Sequence, residues 1–294
     1  MLENLSGAHQ MIKAIKNYIN QNNEFSQRIK SRHRLFWESA DAEIVRNMST
    51  SSSDLMEKWQ DQKYWQRKLS NKYNAKQFAI SNGCKVAELY WMGADPKHIE
   101  FDRLPDQYVI RPTIGHSSSY VFIMDKGYNL FDQQHYSSEQ IINALEEKVA
   151  TTPGTAFLIE EFLQGEAGQY HILSDYKLFC FNGEIAACHL INRTGPKSGF
   201  GSCYDEHWNS IESVHPGYPE VGPQPKPACW DEMLAQVKTL SRAYQIFVRL
   251  DYYATTKGAV FGEFTPTPGL GNGYSPFGQK LLLSYWDKYC KGLV

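Results

Sequence analysis

A single hairpin does most to fix what this chain can become. Val248-Arg249-Leu250-Asp251-Tyr252-Tyr253-Ala254 and Ala259-Val260-Phe261-Gly262-Glu263-Phe264-Thr265 read as two strands joined by Thr255-Thr256-Lys257-Gly258. If Ala254 pairs with Ala259, Asp251 stands opposite Gly262; if it pairs with Val260, Asp251 stands opposite Glu263. In the second register two carboxylates meet on one side of a sheet. Like charges directly opposite destabilise a ladder. A cation is therefore expected between them, and Mg²⁺ suits hard oxygen ligands. The plain alternative is a pair of solvated carboxylates beside a surface turn. The apolar and aromatic flanks argue against a simple solvent face.

Bulk properties narrow the class. The chain has 294 residues, enough for one large domain or two small ones. Its 30 basic and 32 acidic residues leave a net charge of -2, which gives no electrostatic footprint for nucleic acid. None of the six cysteines forms a C-x-x-C pair, so neither a zinc nor a redox motif is indicated. Cys188 and His189 are neighbours on a predicted strand, where they point to opposite faces, which disfavours a nucleophile–base pair. No apolar run reaches the length of a membrane span, and the N-terminus lacks a basic-then-apolar leader. The expectation is a cytoplasmic protein with reduced thiols.

Along the chain, residues 1–70 read as helical. Met11, Ile12, Ile15, Tyr18 and Ile19 form an apolar stripe, and a second helix is expected from Phe25 to Arg46. Ser53 or Asp54 is placed to cap a helix carrying Leu55, Met56, Trp59 and Trp65. This region is expected to pack on the main body. From Lys76 a helix ends at Asn82-Gly83. Strands follow at 86–91, 108–112, 121–124 and 156–163, with a capping box at Ser137–Gln140 opening a helix. Asn182-Gly183 is a strong hairpin signal between 175–181 and 184–192. Residues 193–227 read as a long loop of the kind that covers binding sites. Helices are expected at 231–244 and 278–291.

Several residue groups suit nucleotide chemistry. Thr113–Ser119, with Ser117 and Ser118, offers small residues whose backbone N–H groups can approach phosphate, though an ordinary turn is the competing reading. Arg111 precedes that loop. Lys177 shares a strand face with Asp175, so an Asp–Lys surface pair competes with a phosphate contact. Glu160-Glu161-Phe162-Leu163 ends an apolar strand on an acidic pair, as an interdomain hinge for a purine and a ribose would. His116, His171 and His189 are available as bases, but no one of them is singled out.

The order of these segments resembles the ATP-grasp superfamily, specifically its TupA-like branch linked to teichuronic acid and other surface polysaccharides. The resemblance runs from about Lys72 to Leu283, and its most specific parts are Asp175-Tyr176-Lys177 through Phe181-Asn182-Gly183 and the hairpin of Arg249, Asp251, Glu263 and Thr265. It implies an α+β ATP-grasp fold, two α+β lobes clasping ATP, with an N-terminal helical extension: residues 1–70, then 71–170 with the small lobe, then 171–294 with the large lobe and metal site. It further implies a carboxylate–amine ligase, ADP-forming, that acts through an acyl phosphate on a sugar acid or polysaccharide precursor. A kinase, another transferase, or a non-catalytic nucleotide-binding module of the same fold is the alternative. By the resemblance Arg111 (where the family has lysine), Ser117, Ser118, Glu160, Glu161, Phe162, Leu163 and Lys177 meet ATP. Asp251, Glu263 and Thr265 (where many members have asparagine) hold Mg²⁺, and Arg249 and Arg193 serve the acyl phosphate or the substrate carboxylate. The partners implied are small-molecule carboxylates and amines; a homodimer is an admissible assembly.

Overall fold

Two separate stretches of alternating apolar and polar residues build two antiparallel sheets. The computed structural model describes residues 23–115, 120–152, 154–195 and 198–290. The first sheet contains β1 (Leu89–Gly93), β2 (Gln107–Pro112), β3 (Phe122–Asp125), β4 (Tyr128–Asn129), β5 (Gln134–His135) and β6 (Phe157–Glu161), in the order β1-β6-β2-β3-β4-β5. Tyr108, Ile110, Phe157 and Ile159 turn one face of it to Ile141 and Leu145 of helix α5 (Ser138–Thr151). That helix starts at the expected capping box, in which Ser137 and Gln140 satisfy each other's backbone N–H. Arg111 and Glu160 lie on the opposite face, since β2 and β6 alternate.

The second sheet orders β11 (Gly258–Thr265), β10 (Val248–Thr255), β7 (Asp175–Phe181), β8 (Glu184–Arg193) and β9 (Gly199–Tyr204) as β11-β10-β7-β8-β9. Asn182 and Gly183 turn β7 into β8 with φ of 51° and 95°, the left-handed pair that a tight hairpin requires. Leu178, Cys188, Leu190, Leu250 and Tyr252 pack against Trp230, Met233, Val237 and Leu240 of helix α6 (Trp230–Tyr244). Each such fully buried apolar side chain contributes about 1.5–3 kcal/mol.

The N-terminal segments complete this second body. They are α1 (Glu24–His33), a π-helical turn (Arg34–Glu38), α2 (Ala42–Asn47), α3 (Met56–Trp59), a 3₁₀ turn (Trp65–Ser70) and α4 (Lys72–Ser81). Phe36, Trp59, Trp65 and Phe78 join the core beneath the sheet, as expected of a helical cap. Phe25 and Ile29 of α1 pack with Phe179, Phe247, Tyr274 and helix α7 (Pro276–Tyr289). The apolar stripe at residues 11–19 lies outside the described residues.

Four local expectations are corrected. The helix expected from Phe25 to Arg46 is broken at Ser39, which leaves the helical region with ψ of 149°. Neither Ser53 nor Asp54 caps α3, whose N-cap is Leu55; Asp54 instead accepts the Ser51 N–H at 2.7 Å and pairs with Lys58. The strand placed at 86–91 begins only at Leu89, because residues 85–88 bond to both sheets: Lys85 O accepts the Phe261 N–H, and Glu88 O accepts the Glu161 N–H. The 193–227 loop contains strand β9, whose Gly199-Phe200-Gly201-Ser202 composition conceals its pairing with β8.

Candidate active site

The hairpin uses both of the registers its sequence allows. Near the turn Ala254 pairs with Ala259 and Tyr252 with Phe261. A bulge then leaves Gly262 unpaired, and Asp251 faces Glu263. Glycine is required there: a Cβ at 262 would come within 2.9 Å of the Asp251 carbonyl oxygen and 3.0 Å of the Tyr253 ring. Pairing continues across the sheet, so Glu263, Asp251, Lys177, His189 and Cys203 form one row on one face. Thr265 and Arg249 form the next row.

Protein cations hold Asp251, which is 3% exposed. Arg249 grips it as a fork, Nε to Oδ1 at 2.6 Å and Nη2 to Oδ2 at 2.8 Å, while Lys177 Nζ also donates to Oδ2. The cation expected near the two acids is thus supplied in part by the chain itself. Burial pushes the Asp251 carboxyl up, but Arg249 and Lys177 outweigh it and hold the group below the usual carboxylate range. Glu263, with its side chain 37% exposed, stands 3.8 Å from Arg249 and accepts the Thr265 hydroxyl at 3.3 Å. Arg249 donates to Thr265 at 3.0 Å. Beside this row Arg193 Nε pairs with Asp175 at 2.6 Å and its Nη1 donates to the Tyr218 hydroxyl at 3.1 Å; Lys177 lies 3.4 Å from Asp175. His189, almost fully buried, has its pKa pushed down to about 3 by burial, then by His215, Lys177 and Arg249.

The first sheet presents a second charged group. Glu160 is buried between Arg111 and Lys76, which outweigh its burial and keep it ionised. Arg111 interacts with Glu160 and also with Glu263 and Tyr253 of the second sheet, and Lys72 with Glu263, Arg111 and Glu160. The charged residues of the two sheets are therefore electrostatic neighbours. The phosphate-loop candidate begins beside them, where Lys72 donates to Gly115 O at 3.1 Å and its backbone N–H to Thr113 O. Ser117 and Ser118 lie outside the described residues. The hinge segment follows β6: Glu161 accepts the Glu88 N–H at 3.1 Å and pairs with Lys257, while Phe162 and Leu163 are buried.

Lys72 and Lys76 were not singled out by the sequence reading. Their i, i+4 spacing on α4 places both on one helix face, which was the available signal. Among the described residues no three or more His, Cys, Asp and Glu side chains gather as a metal cluster. Asp251, Glu263 and Thr265 offer the hard oxygens that Mg²⁺ takes, and both oxygens of Asp251 are engaged by Arg249 and Lys177.

A family model described as TupA-like ATPgrasp matches residues 51–281. The chain belongs to the TupA-like ATP-grasp family. The family match begins at Ser51, earlier than the resemblance from Lys72, and leaves α1 outside it. Solved structures similar to this TupA-like chain include the D-alanine–D-alanine ligase from Helicobacter pylori, at 19% identity and a TM-score of 0.47 over 76% of this chain and 59% of that one. The D-alanine–D-alanine ligase from Bacillus anthracis complexed with ATP gives 15% identity and a TM-score of 0.48 over 75% and 65%. The TupA-like chain thus spans less than two thirds of the length of either. A comparison with curated proteins gave no match. Among the described residues no helix is long and apolar enough to cross a membrane.

Proposed function

We propose that the chain is an ATP- and Mg²⁺-dependent ligase that joins a carboxylate to an amine through an acyl phosphate. The observation that carries this reading is the nearness of two charged groups: Asp251, Glu263, Arg249 and Lys177 on the second sheet, and Arg111 on the first, with Lys72 of helix α4 between it and Glu263. A polyphosphate held between these groups is neutralised from both sides. Family membership supports the nucleotide assignment.

In this reading the substrate carboxylate oxygen attacks the γ-phosphorus and ADP leaves. The amine nitrogen then attacks the acyl carbon, inorganic phosphate leaves, and the nitrogen loses a proton. The chain's contribution is positioning and charge neutralisation. Arg111 and Lys177 take the phosphates, with Lys72 beside the loop that holds Ser117 and Ser118. Glu160, Glu161, Phe162 and Leu163 form the base hinge through their backbone, because both acidic side chains of that segment are already paired. Arg249 and Arg193 orient the acyl phosphate or the carboxylate. Asp251, Glu263 and Thr265 would hold Mg²⁺, which would offset the charge that develops on the phosphates. The substrates are small molecules, a sugar acid or surface-polysaccharide precursor and an amine, met in the cytoplasm. The two lobes divide after the hinge, with residues 23–84 seated on the second.

ADP release in a matrix of carboxylates against amines tests this, with Asp251→Ala and Glu263→Ala as controls. ADP that forms only when both substrates are present, and not in the controls, supports ligation. A phosphorylated product without amine identifies a kinase. No ADP with any pair, or normal turnover in both controls, overturns the assignment.

A further inference from the structure

We infer that Arg32 is a positioning residue for the Asp251–Glu263 hairpin, which makes helix α1 a built part of the site. The inference rests on the reading of that hairpin as the nucleotide–metal site. It begins from the open end of the hairpin. The last registered pair is Arg249 with Thr265, and the next residue on β11's side is Pro266. Proline has no N–H, so the ladder cannot continue. The backbone carbonyls of Phe247 and Pro266 are left at the point where the strands carrying Arg249 and Thr265 would splay.

Arg32 occupies that point. Its Nη1 donates to Phe247 O at 2.5 Å and to Pro266 O at 3.3 Å, one nitrogen joining both strand ends. The side chain is 0% exposed, and among the described residues its Nε and Nη2 have no hydrogen-bond partner. Its guanidinium carbon lies 4.6 Å from the Trp286 ring centroid and 5.5 Å from that of Phe247. A buried cation without a carboxylate is costly, and an apolar side chain of similar size would suit this aromatic box better. What the arginine adds is the link between two carbonyls. The same helix also abuts the glycine loop beyond the hairpin: a Cβ on Gly271 would meet Ser26 O at 2.7 Å. Phe25, Ile29 and Arg32 form the inward stripe of α1.

The test uses the full chain with Mn²⁺ and the non-hydrolysable analogue adenylyl imidodiphosphate. Arg32→Met is expected to stay folded with unchanged or higher thermal stability. Amide exchange at residues 248–251 and 263–267 quickens, and affinity for the Mn²⁺–analogue pair falls about tenfold, the size of one lost charge-assisted hydrogen bond. Arg32→Lys, which keeps one charged donor, recovers part of both. If Arg32→Met is folded and neither readout moves, the inference is overturned. If Arg32→Met does not fold, the same two readouts on Arg32→Lys decide: a change in both supports the inference, and wild-type values overturn it. If the wild-type chain binds Mn²⁺–analogue no better than an Asp251→Asn, Glu263→Gln double variant, the site reading fails instead. Exchange at the hairpin end then decides alone whether Arg32 holds it.

Discussion

At the scale of single residues, Asp251 and Glu263 are chemically alike and physically unlike. Asp251 is buried under two cations, so Asp251→Asn leaves Arg249 and Lys177 facing a neutral group. We expect a loss of about 3–5 kcal/mol in denaturant unfolding, as when one partner of a buried ion pair is removed. Glu263 is more open, and Glu263→Gln should cost at most about 1 kcal/mol. Both substitutions should nevertheless abolish Mg²⁺-dependent nucleotide binding, measured by calorimetry. His189 supplies a pH signature. Its depressed folded pKa, about 3, lies below the ordinary histidine value, so its stabilising effect is complete above about pH 6.5 and is lost as pH falls toward 3. The unfolded chain takes up the proton first, giving a slope of up to roughly 1.4 kcal/mol per pH unit. His215, Lys177 and Arg249 disfavour the charged ring and Asp251 favours it. Unfolding followed between pH 6.5 and 4.5 should show this slope flattened in His189→Asn.

At the scale of elements, the β10–β11 hairpin shows what alternation reveals and what it hides. The strands, their turn and the facing of the two acids follow from residue order. The bulge does not follow from alternation, although a glycine inside a strand is its usual marker. Simple alternation puts Phe261 and Glu263 on one face; in the structure Phe261 joins the aromatic core with Tyr252, and Glu263 stands on the other face with Asp251. Gly262→Val should destabilise the fold by about 1–3 kcal/mol through backbone displacement, seen as a lowered melting temperature. Removing Gly262 altogether should be milder, since Tyr252–Phe261 and Asp251–Glu263 can pair without it. Strand β9 was illegible for another reason: its glycines and serines carry no β preference, and its identity comes from the neighbour it pairs with. Lys72 and Lys76 belong to a helix whose end was recognised, but what that helix faces is set by residues far along the chain.

At the scale of the molecule, the N-terminal helices are structural members of the second body. Deleting residues 1–34 would uncover Phe179, Phe247, Tyr274 and Trp286 and remove Phe25, Ile29 and Arg32. We expect the truncated chain to lose its cooperative melt and aggregate, as circular dichroism and size-exclusion chromatography would show. The short segment at residues 85–88 has a different consequence. Lys85 is hydrogen-bonded to the second sheet and Glu88 to the first, and next to them Thr256 donates to Gln164 beside the Lys257–Glu161 pair. Two such straps on neighbouring strands act as an axle. Any rocking of the first sheet about that line would have to break the two bonds from Lys72 to Thr113 and Gly115, while Glu161 scarcely travels.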